Sequence, residues 1–461
     1  MIDVGNPAIR LDLLQRSRFP ENAFFPVAKS CRERRSCAAV YQTIVVSPST
    51  DSSTANAAAD TNAAALLRSP LLSQAPLLRE SPSLATDATS ALMRSPSATA
   101  PSAELLVDCV PFSHLNQADF QGWERLRRIR PDYASPFFSP SFIEAVDTAR
   151  GGDVEIARIR RGGELVGLWP FHRINRIAWP VGRCFNDAHN IISANTPPID
   201  WRWLLKELNL KAFHFHSMVG PAEGLAEHDC FETIDAFSLQ LGDDSSAAMC
   251  RLEQVHTTLK KQHQKTRKMA RELGEISLEL DCRDADLLDR TIAMKREQYL
   301  RTKPLDVFAP RWPHTMLHQL FEKPRSGAYG MLSVLRAGEH LVAAHYGIRE
   351  DGLLHYWIPV YDPRFAVYSP GTALFKHIVQ NATQHGIRTI DMGYGEPTYK
   401  RKQTDTQSSV LYGVTSGSAP YHAWHRLQHQ THQLARHMPF KQQVKRWVRT
   451  IASHSSPSQL S

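Results

Sequence analysis

The sequence predicts a mixed α/β protein built from two consecutive domains, residues 104–241 and 242–418. Three observations carry this reading. The 461-residue chain is long enough for two to three domains. Its texture changes abruptly near Leu105, where a stretch rich in Ser, Ala, Thr and Pro gives way to alternating apolar patterns. An order of helices, β-meander, crossover helix and return strand runs through residues 246–420 and is approximated in the first half.

Residues 1–103 hold a loose repeat, Leu66-Leu-Arg-Ser-Pro70, Leu77-Leu-Arg-Glu-Ser-Pro82 and Leu92-Met-Arg-Ser-Pro96. Such chain buries too little apolar surface to offset its ordering entropy, so it is expected to be disordered. From Leu105 a strand is expected over Leu105–Val110 and a helix over Phe120–Arg128. A Pro-opened segment, Pro136–Val146, runs into a second helix. Strands follow at Val154–Ile159 and Glu164–Phe171, with Gly162-Gly163 as the hairpin signal. The polar cluster Asn186–His189 comes next, then a helix at Trp201–Leu208 and a strand at Ala212–His216.

The second half opens with one long helix, Ala247–Leu273, ended by Gly274. A strand Ile276–Leu280 and helices Ala285–Leu300 and Trp312–Phe321 follow. Strands Tyr329–Leu335, Leu341–Ile348 and Leu353–Val360 form a meander through the turns Ala337-Gly338 and Asp351-Gly352. Gly371–His385 is a crossover helix, Ile387–Asp391 a strand parallel to the one before it, and Val410–Val414 a last strand.

Charge and composition narrow the function classes. The net charge is +8. No acidic residue follows Asp405, and Arg426, Arg436, Lys441, Lys445, Arg446 and Arg449 account for most of the excess. The basic character therefore belongs to a tail, residues 419–461, and nucleic-acid binding is not favoured. Apolar residues at helical spacing and two Trp in residues 421–451 fit either peripheral attachment to an anionic membrane or a helix packed back on the domain. No apolar run reaches the length of a spanning helix. The seven cysteines are scattered without ligand spacing, which fits reduced thiols in a cytoplasmic protein, peripheral at the inner membrane face at most, and no metal.

The chemistry concentrates between Tyr356 and Lys402. Ser369-Pro370-Gly371 opens the crossover helix, where free N–H groups and the helix dipole favour an anion such as a pyrophosphate. Asp391 ends the return strand, followed by Gly393-Tyr-Gly-Glu396 and Tyr399-Lys400. Asp391 or Glu396 can take a proton from an amine or hydroxyl, and Lys400 can hold an acidic group. A turn with an ion pair from Lys400 to Asp391 or Glu396 fits the same residues. Strand alternation sets His355 and Trp357 on one face. The basic helix around Lys265 and Lys268 offers a cationic wall, or simply a solvated face.

The Gly393-Tyr-Gly395…Tyr399-Lys400 pattern behind a Ser-Pro-Gly helix opening resembles the second domain of the CelD-type tandem GNAT acyltransferases, a bacterial family associated with polysaccharide synthesis. The tandem order, over about residues 105–420, is also similar to that of the FemABX peptidoglycan aminoacyltransferases. The resemblance implies two tandem GNAT-like domains with mixed sheets, the first degenerate and the second carrying the site. It implies acyl-CoA, acetyl-CoA in particular, as co-substrate, held near Arg364, Ser369, Gly371 and Thr372. The usual loop carries several glycines and an Arg or Gln, from which Ser369-Pro370-Gly371 departs. Catalytic roles fall to Asp391, Glu396, Tyr399, Lys400 and Tyr361, a tyrosine serving as acid to the leaving thiolate. His355, Trp357, Lys265 and Lys268 would meet the acceptor, a small molecule or glycan precursor. A non-catalytic scaffold of polysaccharide synthesis and a FemABX-like aminoacyltransferase are the alternatives.

Overall fold

A computed structural model describes residues 105–194, 198–220, 222–302, 306–395 and 398–437. The segment expected to be disordered and the end of the basic tail lie outside the described residues.

The first half contains β1 (Leu105–Pro111), α1 (Gln117–Arg127), α2 (Pro140–Arg150), β2 (Val154–Arg161), β3 (Glu164–Ile174), β4 (Ile177–Trp179), β5 (Ile192–Ser193), α3 (Trp201–Glu207), β6 (Ala212–Met218) and β7 (Cys230–Gln240). Local chemistry sets the boundaries. Asn116 and Asp119 form a reciprocal capping box at α1. Pro140 opens α2, and Gly151, at φ 79°, closes it. Gly162 and Gly163 both hold positive φ in the β2–β3 hairpin.

The second half contains α4 (Ser245–Val255), α5 (Thr257–Leu273), β8 (Ile276–Cys282), α6 (Ala285–Thr302), α7 (Arg311–Glu322), β9 (Tyr329–Ala337), β10 (His340–Glu350), β11 (Leu353–Tyr361), α8 (Pro370–Ala382), β12 (Thr389–Tyr394), α9 (Thr398–Gln403), β13 (Thr406–Ser416) and α10 (Ala419–His437). The single helix expected over 247–273 is two, because His256 adopts extended backbone (φ −117°, ψ 95°). The run Val255-His-Thr-Thr258 has two β-branched residues after the break and one before it, which lowers helix propensity there.

All the strands join one 13-stranded mixed sheet, in the order β1-β2-β3-β4-β6-β13-β7-β12-β11-β10-β9-β8, with β5 beside β3. Two strands stitch the halves together. β13, last in sequence, lies between β6 and β7, antiparallel to both (Val414 opposite His214, Val410 opposite Ile234). β7 in turn pairs with β12, Ile390 opposite Leu239. β7 was absent from the sequence reading, and β13 is much longer than expected. Exposed or half-buried polar residues, Glu232, Asp235, Thr406, Gln407, Ser408 and Ser409, dilute the apolar alternation Phe237-x-Leu239-x-Leu241.

Helices cover both faces. One core draws on both halves: Phe137, Phe142 and Val146 pack with Leu317, Leu320 and Tyr346. A second lies beneath α8, α4 and α5. The halves are also tied by charge. Arg127, 8% exposed, forks onto Glu350 at 3.1 and 2.5 Å, and the Ser139 hydroxyl donates to the same carboxylate at 2.8 Å. The tail helix α10 turns His422 and the Tyr421 hydroxyl toward the sheet, the latter 2.7 Å from His214 Nε2, and leaves Trp424, Leu427 and Leu434 exposed. Among the described residues no helix is long and apolar enough to cross a membrane.

Removing one partner of the Arg127–Glu350 pair strands a buried charge. Glu350→Ala is expected to cost roughly 3–5 kcal/mol, whereas Glu164→Ala, in the exposed pair with Arg125 at 3.3 Å, costs about 0–1 kcal/mol. Urea denaturation of the two variants checks this, and equal losses would show that the buried pair does not tie the halves.

Candidate active site

β11 and β12 run parallel for a short stretch only, Leu353–His355 against Thr389–Asp391. Beyond it β12 remains paired with β7, Tyr394 opposite Ala236, while its pairing with β11 ends and those two strands part. His355 stands at the point of divergence and is fully buried. Its Nδ1 lies 2.9 Å from Asp391 Oδ2 and its Nε2 lies 3.0 Å from Asp187 Oδ2. Asp391 Oδ1 also accepts the Gly393 N–H at 2.8 Å. Gly393 is required twice over. Its φ is 67°, and a Cβ there would sit 2.7 Å from Asp187 Oδ2 and 3.1 Å from His355 Cε1.

Burial opposes a charge on His355, but the carboxylates of Asp391 and Asp187 overcome it and hold the imidazolium up to about 9. The ring is therefore charged at neutral pH and donates from both nitrogens. Burial pushes Asp391 up, and the charged His355 more than reverses this, so its carboxyl is held below the usual range. Lys400 is buried, which lowers its ammonium, while Asp187 and Asp391 act in the opposite sense. Lys400 Nζ donates to the Tyr394 carbonyl at 2.6 Å. Tyr399, on α9, is 42% exposed, and burial followed by the charge of Asp187 raises its phenol.

The expected site residues fall into two groups. Asp391, His355, Tyr399 and Lys400 gather at the divergence; Glu396 lies outside the described residues. Tyr361, Ser369, Gly371 and Thr372 gather at the other end of β11, about 20 Å along the strand. There Ser369, at φ 53°, precedes Pro370 at the first turn of α8 and holds no side-chain cap. Lys265 Nζ donates to Ser369 Oγ at 2.7 Å, Lys268 lies 5.9 Å over the Tyr368 ring, and a Cβ on Gly371 would rest 3.7 Å from Tyr361. Arg364 is exposed and forked onto Asp362 at 2.6 and 2.9 Å.

Four expectations change. The chemistry expected to concentrate between Tyr356 and Lys402 divides into two groups joined by β11. The ion pair from Lys400 to Asp391 is replaced by a Lys400 bond to a carbonyl, because His355 takes the carboxylate. His355 has no exposed surface and both its nitrogens are committed, so it does not face an acceptor directly. Trp357 packs edge-on against Phe137, Phe142 and Phe185 in the shared core. The residue missed is Asp187, from the loop after β4. The polar cluster Asn186–His189 was visible in the sequence, but nothing local says that its carboxylate reaches a strand of the other half.

The raised His355 carries a pH signature. An unfolded His titrates near 6.5 and this one near 9, so its contribution is complete below pH 6.5 and is lost as pH rises through 9. A loss on the order of 3 kcal/mol across that window is expected. His355→Gln flattens the dependence. Denaturant titrations of both proteins between pH 6 and 10 measure it, and a parent protein whose stability is level across the window would contradict the charged imidazole.

An acetyltransferase (GNAT) domain model matches residues 258–401. No curated protein sequence matches this chain. Among solved structures, the chain is similar to FemX, at 9% identity and TM-score 0.43 over 70% of this chain and 100% of that one. It is also similar to a tandem GNAT protein from the clavulanic acid biosynthesis pathway (12%, TM-score 0.38, 68% and 99%) and to a GCN5-related N-acetyltransferase from Kribbella flavida (12%, TM-score 0.33, 69% and 72%). The segment that the acetyltransferase (GNAT) domain model matches, residues 258–401, contains the parting of β11 and β12.

Proposed function

We propose that the protein transfers an acyl group from acyl-coenzyme A, acetyl-coenzyme A in the first instance, to an amine or hydroxyl of a small-molecule or glycan acceptor. The observation that carries this reading is the pair of sites on β11. One is a helix N-terminus flanked by Lys265, suited to phosphates. The other is a carboxylate cluster at the strand divergence, suited to proton transfer. A donor with phosphates at one end and a thioester on a long thin arm fits that separation. The acceptor is taken to be a precursor of a cell-envelope or extracellular polysaccharide, on the resemblance of the Gly393-Tyr-Gly395…Tyr399-Lys400 turn. The two halves are read as tandem copies, the first lending Asp187 to the second.

In this mechanism Asp187, whose side chain is 20% exposed, takes the proton from the attacking amine or hydroxyl. The new bond forms at the thioester carbonyl, and the carbon–sulfur bond breaks. The hydroxyl of Tyr399, a half-exposed residue, gives its proton to the departing thiolate. His355 and Asp391 are positioning residues: the charged imidazole aims Asp187 and Asp391 holds the imidazole. Lys400 Nζ, near both aspartates, lies where it can attract the developing negative charge.

Asp187→Asn is expected to lower kcat by about 10²–10⁴-fold with little change in melting temperature, and Tyr399→Phe by a smaller factor. Lys265→Ala is expected to raise KM for acetyl-coenzyme A with kcat preserved. Release of free thiol from acetyl-coenzyme A, followed across amino sugars and nucleotide sugars, measures all three. Binding of acetyl-coenzyme A without turnover of any acceptor would favour the scaffold reading. The exposed row Trp424, Leu427 and Leu434 on α10 supports a second element, in which residues 421–451 rest on an anionic membrane. Co-sedimentation with anionic liposomes, lost in a chain ending at Ser418, is the expected result.

A further inference from the structure

A second constellation lies away from the acyl-transfer residues, where α10 meets the start of β7. A 3₁₀ turn, Glu227–Asp229, leads into that strand. The Asp229 side chain is 1% exposed, yet neither of its oxygens has a hydrogen-bond partner among the described residues. Leaving a carboxylate this way is costly. His422, in the first turn of α10, directs Nε2 to within 3.5 Å of Asp229 Oδ1, and this nitrogen also lacks a hydrogen-bond partner. His228 Nε2 lies 3.7 Å from the same oxygen. The three donor atoms lie within 4.8 Å of one another.

These separations are too long for hydrogen bonds. They are close to the edge of a tetrahedron around a metal with bonds of 2.0–2.2 Å, which is roughly 3.3–3.6 Å. Two imidazoles and one carboxylate form a donor set suited to zinc. We propose that His228, Asp229 and His422 bind a zinc ion that fastens the C-terminal helix to the sheet. The fold brings the ligands together through a close approach: a Cβ on Gly413 would sit 2.0 Å from the Asp229 carbonyl oxygen, so only glycine lets β13 lie against this turn.

Arg202 is the competitor. Its guanidinium lies 2.7 Å from His228 Nε2 and 3.9 Å from Asp229 Oδ1, at a half-exposed surface position. It supplies the positive charge that the ion would replace, and zinc binding requires it to swing outward. The other His/Asp cluster, Asp289 with His314 and His318, is exposed, and both imidazoles already meet one carboxylate oxygen at 2.8 Å. It serves as the control.

The test uses the full-length, untagged chain carrying His314→Ala and His318→Ala, stripped with chelator and titrated with zinc chloride. One equivalent of zinc is expected, with a rise of several degrees in melting temperature and protection of α10 from trypsin at Arg426. In that background His228→Ala, an exposed change that leaves the core intact, and His422→Ala each weaken the dissociation constant at least tenfold. Arg202→Ala tightens it. The proposal is overturned if no zinc binds in that background, or if its affinity is unchanged by both histidine substitutions. It is also overturned if Arg202→Ala weakens binding, since the guanidinium would then be part of the site and not its rival.

Discussion

The rest of the molecule depends on the hydrogen bonding of β7 and β13. Each half of the sheet would otherwise end in an open edge, β6 on one side and β12 on the other, with a row of unpaired N–H and C=O groups. β13 satisfies β6 and β7, and β7 satisfies β12. The pairing also fixes register, because a slip of one residue would turn Phe237 and Leu239 from the core to solvent. With register set, the loop after β4 has one place to go, and Asp187 arrives above β11. The Arg127–Glu350 fork and the shared core of Phe137, Phe142 and Tyr346 reinforce the same juxtaposition.

That juxtaposition makes the buried charge tolerable. An imidazolium removed from water is unfavourable unless carboxylates compensate it. His355 receives one carboxylate from its own half and one from the other. Gly393 removes the side chain that would block the second. The charged imidazole in turn holds the Asp391 carboxyl below the usual range. It also accounts for the placement of Lys400: with His355 already neutralising the aspartates, the ammonium is free to bond the Tyr394 carbonyl.

β11 carries the division of labour. Its beginning holds the His355–aspartate cluster and its end faces the N-terminus of α8, with Lys265 alongside. A central strand keeps the two apart at a constant span, where a loop would not. The metal-binding proposal at α10 follows the same logic elsewhere in the sheet: a strand from one half and a helix from the other meet only because β13 lies beside β7.

Much of this was legible from local chemistry. Periodicity, glycine turns and proline helix starts marked α1, α2, the β9–β11 meander and α8 to within a few residues. The Gly- and Lys-bearing segment after Asp391 was recognisable as a polar turn, and Asp391, Tyr399 and Lys400 lie near the parting of β11 and β12. The basic helix beside Ser369 was visible because lysines at adjacent turns need no tertiary information. The failures share one cause. β7 carries polar residues on its outward face and owes its existence to partners β12 and β13, so its own pattern was too weak to declare it. The break at His256 reflects packing acting on a segment of modest helix propensity. Asp187 and His355, like His228 and His422, are distant in sequence and are joined only by the order of strands in the sheet. Residue types and local spacing determined which groups could do chemistry; long-range strand pairing decided which of them meet, because hydrogen-bond register across a sheet is a property of two segments and is written in neither one alone.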